Sequence, residues 1–232
     1  MTSPWHGRRV AAAEWLRHLA GQWFFMLGIS TVMLGLLAAV GEAVLEHEST
    51  PFDDAVHMWV VTHQNPALLK LFLVITWIGS SVPVIAAAVA LAAWLWHSRG
   101  RQIAAVVAVA AAAAAALFLV VKQLFHRVRP PGAIIYHITT YSFPSGHATT
   151  ATAVFVTVAY VLRRERLISR GLAIVVGVAG PLLIGISRVY LDVHWATDVL
   201  GGWVAGLFVA ASSAALYDRL RSQLPEPIAV GT

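Results

Sequence analysis

Residues 103–121, IAAVVAVAAAAAAALFLVV, carry neither a charge nor a hydrogen-bonding side chain, and Lys122 follows them directly. Roughly 20 apolar residues take a helix across a bilayer, so this run predicts a membrane span that ends on a cation. Its alanines and valines are small enough to let neighbouring helices pack closely. A fixed charge beside lipid is costly and marks a working position by default.

The rest of the chain fits that start. Of its 232 residues 59% are apolar and only 12% charged, with a mean hydropathy of +0.74, which is too hydrophobic for a soluble domain and predicts an integral membrane protein. Further apolar stretches at 23–44, 71–96, 148–162, 171–186 and about 199–217 complete an all-α, six-transmembrane-helix bundle. The fourth and fifth are short for a crossing, so their ends either extend into the polar segments beside them or stop below the membrane surface. Gly79-Ser80-Ser81 and Pro83 are expected to bend the second span at a packing kink. The run at 23–44 follows basic residues but is long for a signal peptide and lacks a convincing cleavage site, so it is taken as a retained span. No linker or repeat divides the chain, and residues 1–232 are expected to form one domain with its core at about 23–217.

The formal charge of +5 does not point to nucleic acid, because the basic residues sit in short segments between apolar runs, as topology signals do. Arg8, Arg9, Arg17, Arg99, Arg101, Arg163, Arg164, Arg166, Arg170, Arg219 and Arg221 fall on the side of the termini, against Lys70, Lys122, Arg127, Arg129 and Arg188 on the other. The termini are therefore expected to be cytoplasmic and the loops at 125–147 and 187–198 extracytoplasmic. Residues 52–61 are expected to form a short interfacial helix beside those loops. The absence of cysteine rules out a disulfide, a thiolate metal site and a cysteine nucleophile.

Three polar segments converge on the extracytoplasmic side: Lys122-Gln-Leu-Phe-His-Arg-Val-Arg129-Pro130, Pro144-Ser145-Gly146-His147, and Ser187-Arg188 followed by His194 and Asp198. On a helix, His194 and Asp198 lie four residues apart on one face. The carboxylate can then fix the imidazole tautomer and stabilise the positive charge that develops when the other ring nitrogen attacks phosphorus. Pro144-Ser145-Gly146-His147 opens an apolar helix, where Ser145 can cap, Gly146 allows close backbone approach, and unpaired amides favour an anion. His147 is placed to protonate a departing alkoxide. Lys122, Arg129 and Arg188 supply pre-aimed positive charge for phosphoryl transfer, arginine by forking onto two oxygens and lysine as a point charge.

These residues resemble the type 2 phosphatidic acid phosphatase, or lipid phosphate phosphatase, superfamily. Its signature is a lysine separated by six residues from Arg-Pro, then Pro-Ser-Gly-His, then Ser-Arg with a histidine after five residues and an aspartate after three more; every position is present in order. The resemblance implies that Lys122, Arg129, Ser145, Gly146 and Arg188 bind the phosphate, His194 becomes a phosphohistidine, Asp198 supports it and His147 protonates the leaving group. It also implies that no cofactor or metal ion takes part. From the residues alone Ser145 is a helix cap and nothing more. The soluble acid phosphatases and vanadate-dependent haloperoxidases of the same superfamily fit poorly, since this chain has little polar surface outside its spans.

The expected function is removal of phosphate from a lipid phosphate or pyrophosphate, with phosphatidic acid, phosphatidylglycerol phosphate, polyprenyl pyrophosphate and polyprenyl-phosphate sugars as candidates, in a bacterial inner membrane. Two alternatives stay open: a lipid phosphotransferase using the same covalent step, and a non-enzymatic lipid-binding membrane protein. No obligate protein partner is expected. His57, His63, His126 and His137 are given no role; Tyr190 and Asp192 could each tune Arg188 or His194 through a hydrogen bond, and are read first as structural.

Overall fold

The computed structural model describes residues 4–131 and 140–223, with side chains described from Gly21 onward. His137 lies outside the described residues. The elements are all helical: α1 (Pro4–Leu45), α2 (Thr50–Thr62), α3 (Pro66–Ile78), α4 (Ser81–Arg99), α5 (Arg101–Phe125), α6 (Gly146–Arg164), α7 (Arg170–Ile174), α8 (Gly180–Tyr190) and α9 (Ala196–Ser222). A π-helical turn, Val175–Ala179, joins α7 to α8, so that Arg170–Tyr190 reads as one apolar rod of 21 residues.

Among the described residues, five segments are long and apolar enough to cross a membrane: Gly21–Leu45, Ser81–Arg99, Arg101–Phe125, Arg170–Tyr190 and Ala196–Ser222. The chain is an integral membrane protein. Large side chains on the outside of the bundle, Phe24, Phe25, Trp77, Val82 and Trp96 among them, are more than half exposed, as a lipid-facing surface requires. α9 is the most buried of the five and runs through the centre, packed against α1, α5 and α6.

The sixth long helix, α6, has a different composition because of where it sits. Thr149, Thr150, Thr152 and Thr157 are all buried along it; Thr149 and Thr152 lie against Gly202 and Gly206 of α9, and Thr150 meets Ser81 of α4 at 3.4 Å. A Cβ on Gly202 would lie 2.8 Å from the Ser145 carbonyl, and one on Gly206 2.8 Å from the Thr149 carbonyl. Two bare glycines one turn apart thus bring the backbones of α6 and α9 together. The alanine-rich face of α5 does the same for its own neighbours, with Ala104, Val107, Ala110, Ala111 and Ala114 buried between α4, α6 and α9. Both helices that looked short extend into the polar motifs: α6 starts at Gly146 and α8 ends at Tyr190.

The expected second span at 71–96 is two helices rather than one bent helix. α3 ends on Gly79, and Ser80 adopts an extended conformation (ψ 157°) before α4 begins. A Cβ on Gly79 would come within 2.4 Å of Ile184, so glycine is required for α3 to lie against α8. Pro83 stands in the first turn of α4, where its missing N–H is not needed; it starts a helix instead of kinking one. Asn65 caps α3, its side chain accepting from the amide of Ala67 at 2.8 Å. The residues expected to form an interfacial helix lie within α2, which packs on α8 and α9.

Candidate active site

The ends of α5, α6, α8 and α9 meet at one side of the bundle, and the three polar segments meet with them. Ser145, the residue before α6, donates its backbone N–H to the carbonyl of Asp198 at 2.9 Å, which ties the second segment directly to the third. The first segment braces the same place. Lys122 donates to the carbonyl of Tyr141, Arg129 donates to the carbonyls of Thr140 and Tyr141 at 2.9 and 3.3 Å, and the amide of Ser142 donates to the carbonyl of Arg127 at 2.8 Å. The backbone leading into Pro144-Ser145-Gly146 is therefore held by two of the three cations expected to serve the phosphate.

His194 is buried just ahead of α9. Its Nδ1 lies 3.4 Å from Oδ2 of Asp198, longer than a good hydrogen bond, and its Nε2 lies 3.2 Å from Nη1 of Arg129. Burial, reinforced by Arg129 and Arg188 and opposed by Asp198, pulls the imidazole pKa down to about 3. The ring is thus neutral at ordinary pH, with one nitrogen facing a carboxylate and the other facing a guanidinium. A neutral imidazole with its free lone pair aimed at cations is the form able to attack phosphorus.

Asp198 does more than hold His194. Its Oδ2 also accepts from the hydroxyl of Ser142 and from the amide of Trp195 at 2.9 Å, while Oδ1 accepts from Arg127 at 2.8 Å. Standing in the first turn of α9, the carboxylate satisfies an amide ahead of the helix and meets the positive end of the helix dipole.

Arg129 is brought to the site by its own bonds to Val193 and Thr140, the Val193 carbonyl accepting at 2.5 Å. Burial lowers its pKa, opposed by Asp198. Arg188 is buried at the end of α8 and donates to the hydroxyl of Thr76 in α3 at 2.6 Å. His147, at the start of α6, lies in the electrostatic field of Arg188, Arg129 and Lys122. Gly146 is buried beneath Phe118, which a Cβ would meet at 3.2 Å. Ser145 is fully buried, and its hydroxyl makes neither a cap nor any other hydrogen bond. The capping role expected from sequence is not what this side chain does.

A small cavity beside His194 is lined by His57, Pro130, Val189, Asp192 and Trp195. Through Val56, Val189 and Ala196 it shares its wall with an apolar groove of about 310 Å³ between α2, α8 and α9, whose other lining residues include Phe52, Trp59, Leu200 and Trp203.

A family model described as the PAP2 superfamily matches residues 102–222, a stretch that holds all eight residues singled out above. The chain belongs to the PAP2 superfamily. It is 34% identical over 160 residues to phosphatidylglycerophosphatase B of Bacillus subtilis strain 168, covering 68% of this chain and 79% of that protein. It is 34% identical over 93 residues to an undecaprenyl-diphosphatase of Sulfolobus acidocaldarius, covering 39% of this chain and 42% of that one. The crystal structure of a transmembrane PAP2 type phosphatidylglycerolphosphate phosphatase from Bacillus subtilis matches with a TM-score of 0.74 at 27% identity, over 82% of this chain and 96% of that chain.

Within this PAP2 fold, several contributors lay outside the sequence reading. Arg127 was counted only as a loop charge, Ser142 stands outside the quoted segments, and Thr76 carries no signal of its own. Asp192 pairs with Nδ1 of His57 at 2.8 Å and has its pKa raised by burial, opposed by the His57 hydrogen bond. The structural expectation for Tyr190 is met: its hydroxyl accepts from the amide of Asn65 at 2.8 Å, anchoring the start of α3. His126 is the left-handed C-cap of α5 (φ 47°), and His63 bonds within its own turn.

Proposed function

We propose that this PAP2 protein removes phosphate from a lipid phosphate or pyrophosphate through a covalent phosphohistidine on His194. The observation that carries the proposal is the placement of one buried, neutral imidazole between the Asp198 carboxylate at Nδ1 and the Arg129 guanidinium at Nε2. In the first step the Nε2 lone pair forms a bond to phosphorus as the bond to the lipid oxygen breaks, and His147 gives that oxygen a proton. In the second, a water oxygen bonds to phosphorus, the P–N bond breaks, and His147 takes the proton from the water, returning the site to its starting state. Asp198 stabilises the charge that the His194 ring acquires. Lys122, Arg129 and Arg188, together with the hydroxyl of Ser145 and the backbone at Gly146, hold the phosphate oxygens.

A lipid is favoured over a soluble phosphate because the site sits at the end of a membrane bundle and an apolar groove shares its wall. We place the phosphate at the imidazole and the hydrocarbon along α2. The relatives whose names specify a phosphatidylglycerophosphate or an undecaprenyl diphosphate substrate make these two classes the first to assay. The excess of arginine on the side of the termini supports cytoplasmic termini, α6 as a sixth span, and an active site with α2 on the extracytoplasmic face of the inner membrane.

The experiment is phosphate release by purified protein from a panel of diacylglycerol, polyprenyl and sphingoid phosphates, with His194→Ala in parallel. Release that depends on His194 is expected. Absence of release from every lipid, or equal release by the variant, counts against the proposal.

A further inference from the structure

Two charged groups beside the site, one buried and one partly buried, have no part in the chemistry just described. Asp53, in α2, is 1% exposed, and Arg127 lies between Lys122 and Arg129. Arg127 forks onto two carboxylates: Nη2 donates to Oδ2 of Asp53 at 2.6 Å and Nη1 to Oδ1 of Asp198 at 2.8 Å. Nη1 also donates to the hydroxyl of Thr197 at 2.8 Å. Asp53 is fixed in turn by α9, accepting the Thr197 amide at 2.9 Å and its hydroxyl at 2.6 Å. The result is a closed ring of charge and hydrogen bonds through α2, the segment after α5, and the start of α9. Burying such a ring is weak evidence for stability, because desolvation offsets the attraction. Its location calls for another explanation.

We infer that Asp53 and Arg127 form a positioning pair that sets the Asp198 carboxylate against His194. The inference rests on His194 being the nucleophile. Oδ2 of Asp198 is shared among His194, Ser142 and the Trp195 amide, so the orientation of the carboxylate depends on what holds Oδ1. Arg127 is the donor there, and its planar fork can bridge two carboxylates in one fixed geometry where a lysine could not. Asp198 also lies in the field of Lys122 and Arg129. A carboxylate released from Arg127 would turn away from Nδ1, leaving the imidazole without its orienter. Asp53 keeps the fork of Arg127 from following it.

The test uses the full-length protein in detergent with a lipid phosphate that the wild type turns over. Arg127→Gln should lower kcat by about 10–100-fold, the usual loss for an outer partner that orients a reacting group. KM and the inhibition constant for inorganic phosphate should not change. Asp53→Asn should lower kcat less, and the double variant should be no slower than Arg127→Gln, since on this inference Asp53 acts on Asp198 through Arg127 and not through its own bonds to Thr197. Arg127→Lys should recover part of the loss. Additive losses, normal kcat in Arg127→Gln, or a change confined to KM and phosphate affinity would overturn the proposal. Should Arg127→Gln not elute as a folded species in detergent, Asp53→Asn and Arg127→Lys carry the same test: a kcat loss at constant KM supports positioning, and its absence overturns it. His194→Ala separates the two levels. Turnover by that variant sinks the nucleophile assignment, whereas an inactive His194→Ala beside a normal Arg127→Gln sinks the positioning role alone.

Discussion

Nη1 of Arg129 stands 3.2 Å from Nε2 of His194, so the guanidinium covers the nitrogen that would attack phosphorus. A phosphate reaching that nitrogen meets Arg129 first, and the fork can hold two of its oxygens while the lone pair approaches. Arg129→Lys keeps the charge and loses the fork. Steady-state kinetics should show kcat/KM falling by about tenfold or more, in keeping with the loss of a charge-assisted hydrogen bond. Equal kcat/KM for the two proteins would show that Arg129 serves only to brace Thr140 and Tyr141.

The pH profile follows from the buried His194. With its pKa lowered to about 3, the imidazole is unprotonated, and so nucleophilic, at every pH above that value. The limb of kcat/KM that His194 itself contributes in the free enzyme should therefore lie in strong acid and not near neutrality. Because Asp198 raises this pKa, Asp198→Asn should move the limb to still lower pH while reducing kcat. Profiles corrected for the ionisation of the substrate phosphate check both signs; a limb near the ordinary histidine value would show that the ring is less buried in action.

Ser145 separates a cap from a ligand. A serine that caps a helix costs about 1 kcal/mol when replaced by alanine, but this hydroxyl makes no hydrogen bond. Ser145→Ala should leave the thermal midpoint in detergent unchanged and lower kcat/KM by about tenfold through a lost bond to phosphate. A fall in the midpoint with normal kinetics would restore the capping role.

The α6–α9 contact should tolerate no side chain at Gly206. An added Cβ would approach the Cβ of Thr152 at 2.5 Å and the Thr149 carbonyl at 2.8 Å, so Gly206→Ala must push the two helices apart. Overpacking of this kind costs about 1–3 kcal/mol, and the thermal midpoint should drop. Since the Ser145 amide is bonded to the Asp198 carbonyl across the same helix pair, kcat should drop with it.

Much of this arrangement was written plainly in the chain, because membrane spans are long apolar runs and the three motifs are local. What escaped had remote causes. Arg127 looks like filler between Lys122 and Arg129, and the partner that gives it meaning, Asp53, is 74 residues away. The break at Gly79 is imposed by Ile184 on another helix, which no window around residue 79 contains. α6 looked short for a crossing because its first residues belong to the second polar motif; it starts at Gly146, with its threonines buried. Ser145 shows the opposite error: its local context suggested a cap, and only the three-dimensional structure showed the hydroxyl without one.

The most direct measurement is a rapid quench of the protein with a lipid substrate carrying labelled phosphate, followed by mapping of the labelled residue. Label on His194, absent from His194→Ala and lost as free phosphate appears, is the predicted result. Label on another residue, or turnover by His194→Ala at the wild-type rate, would contradict it.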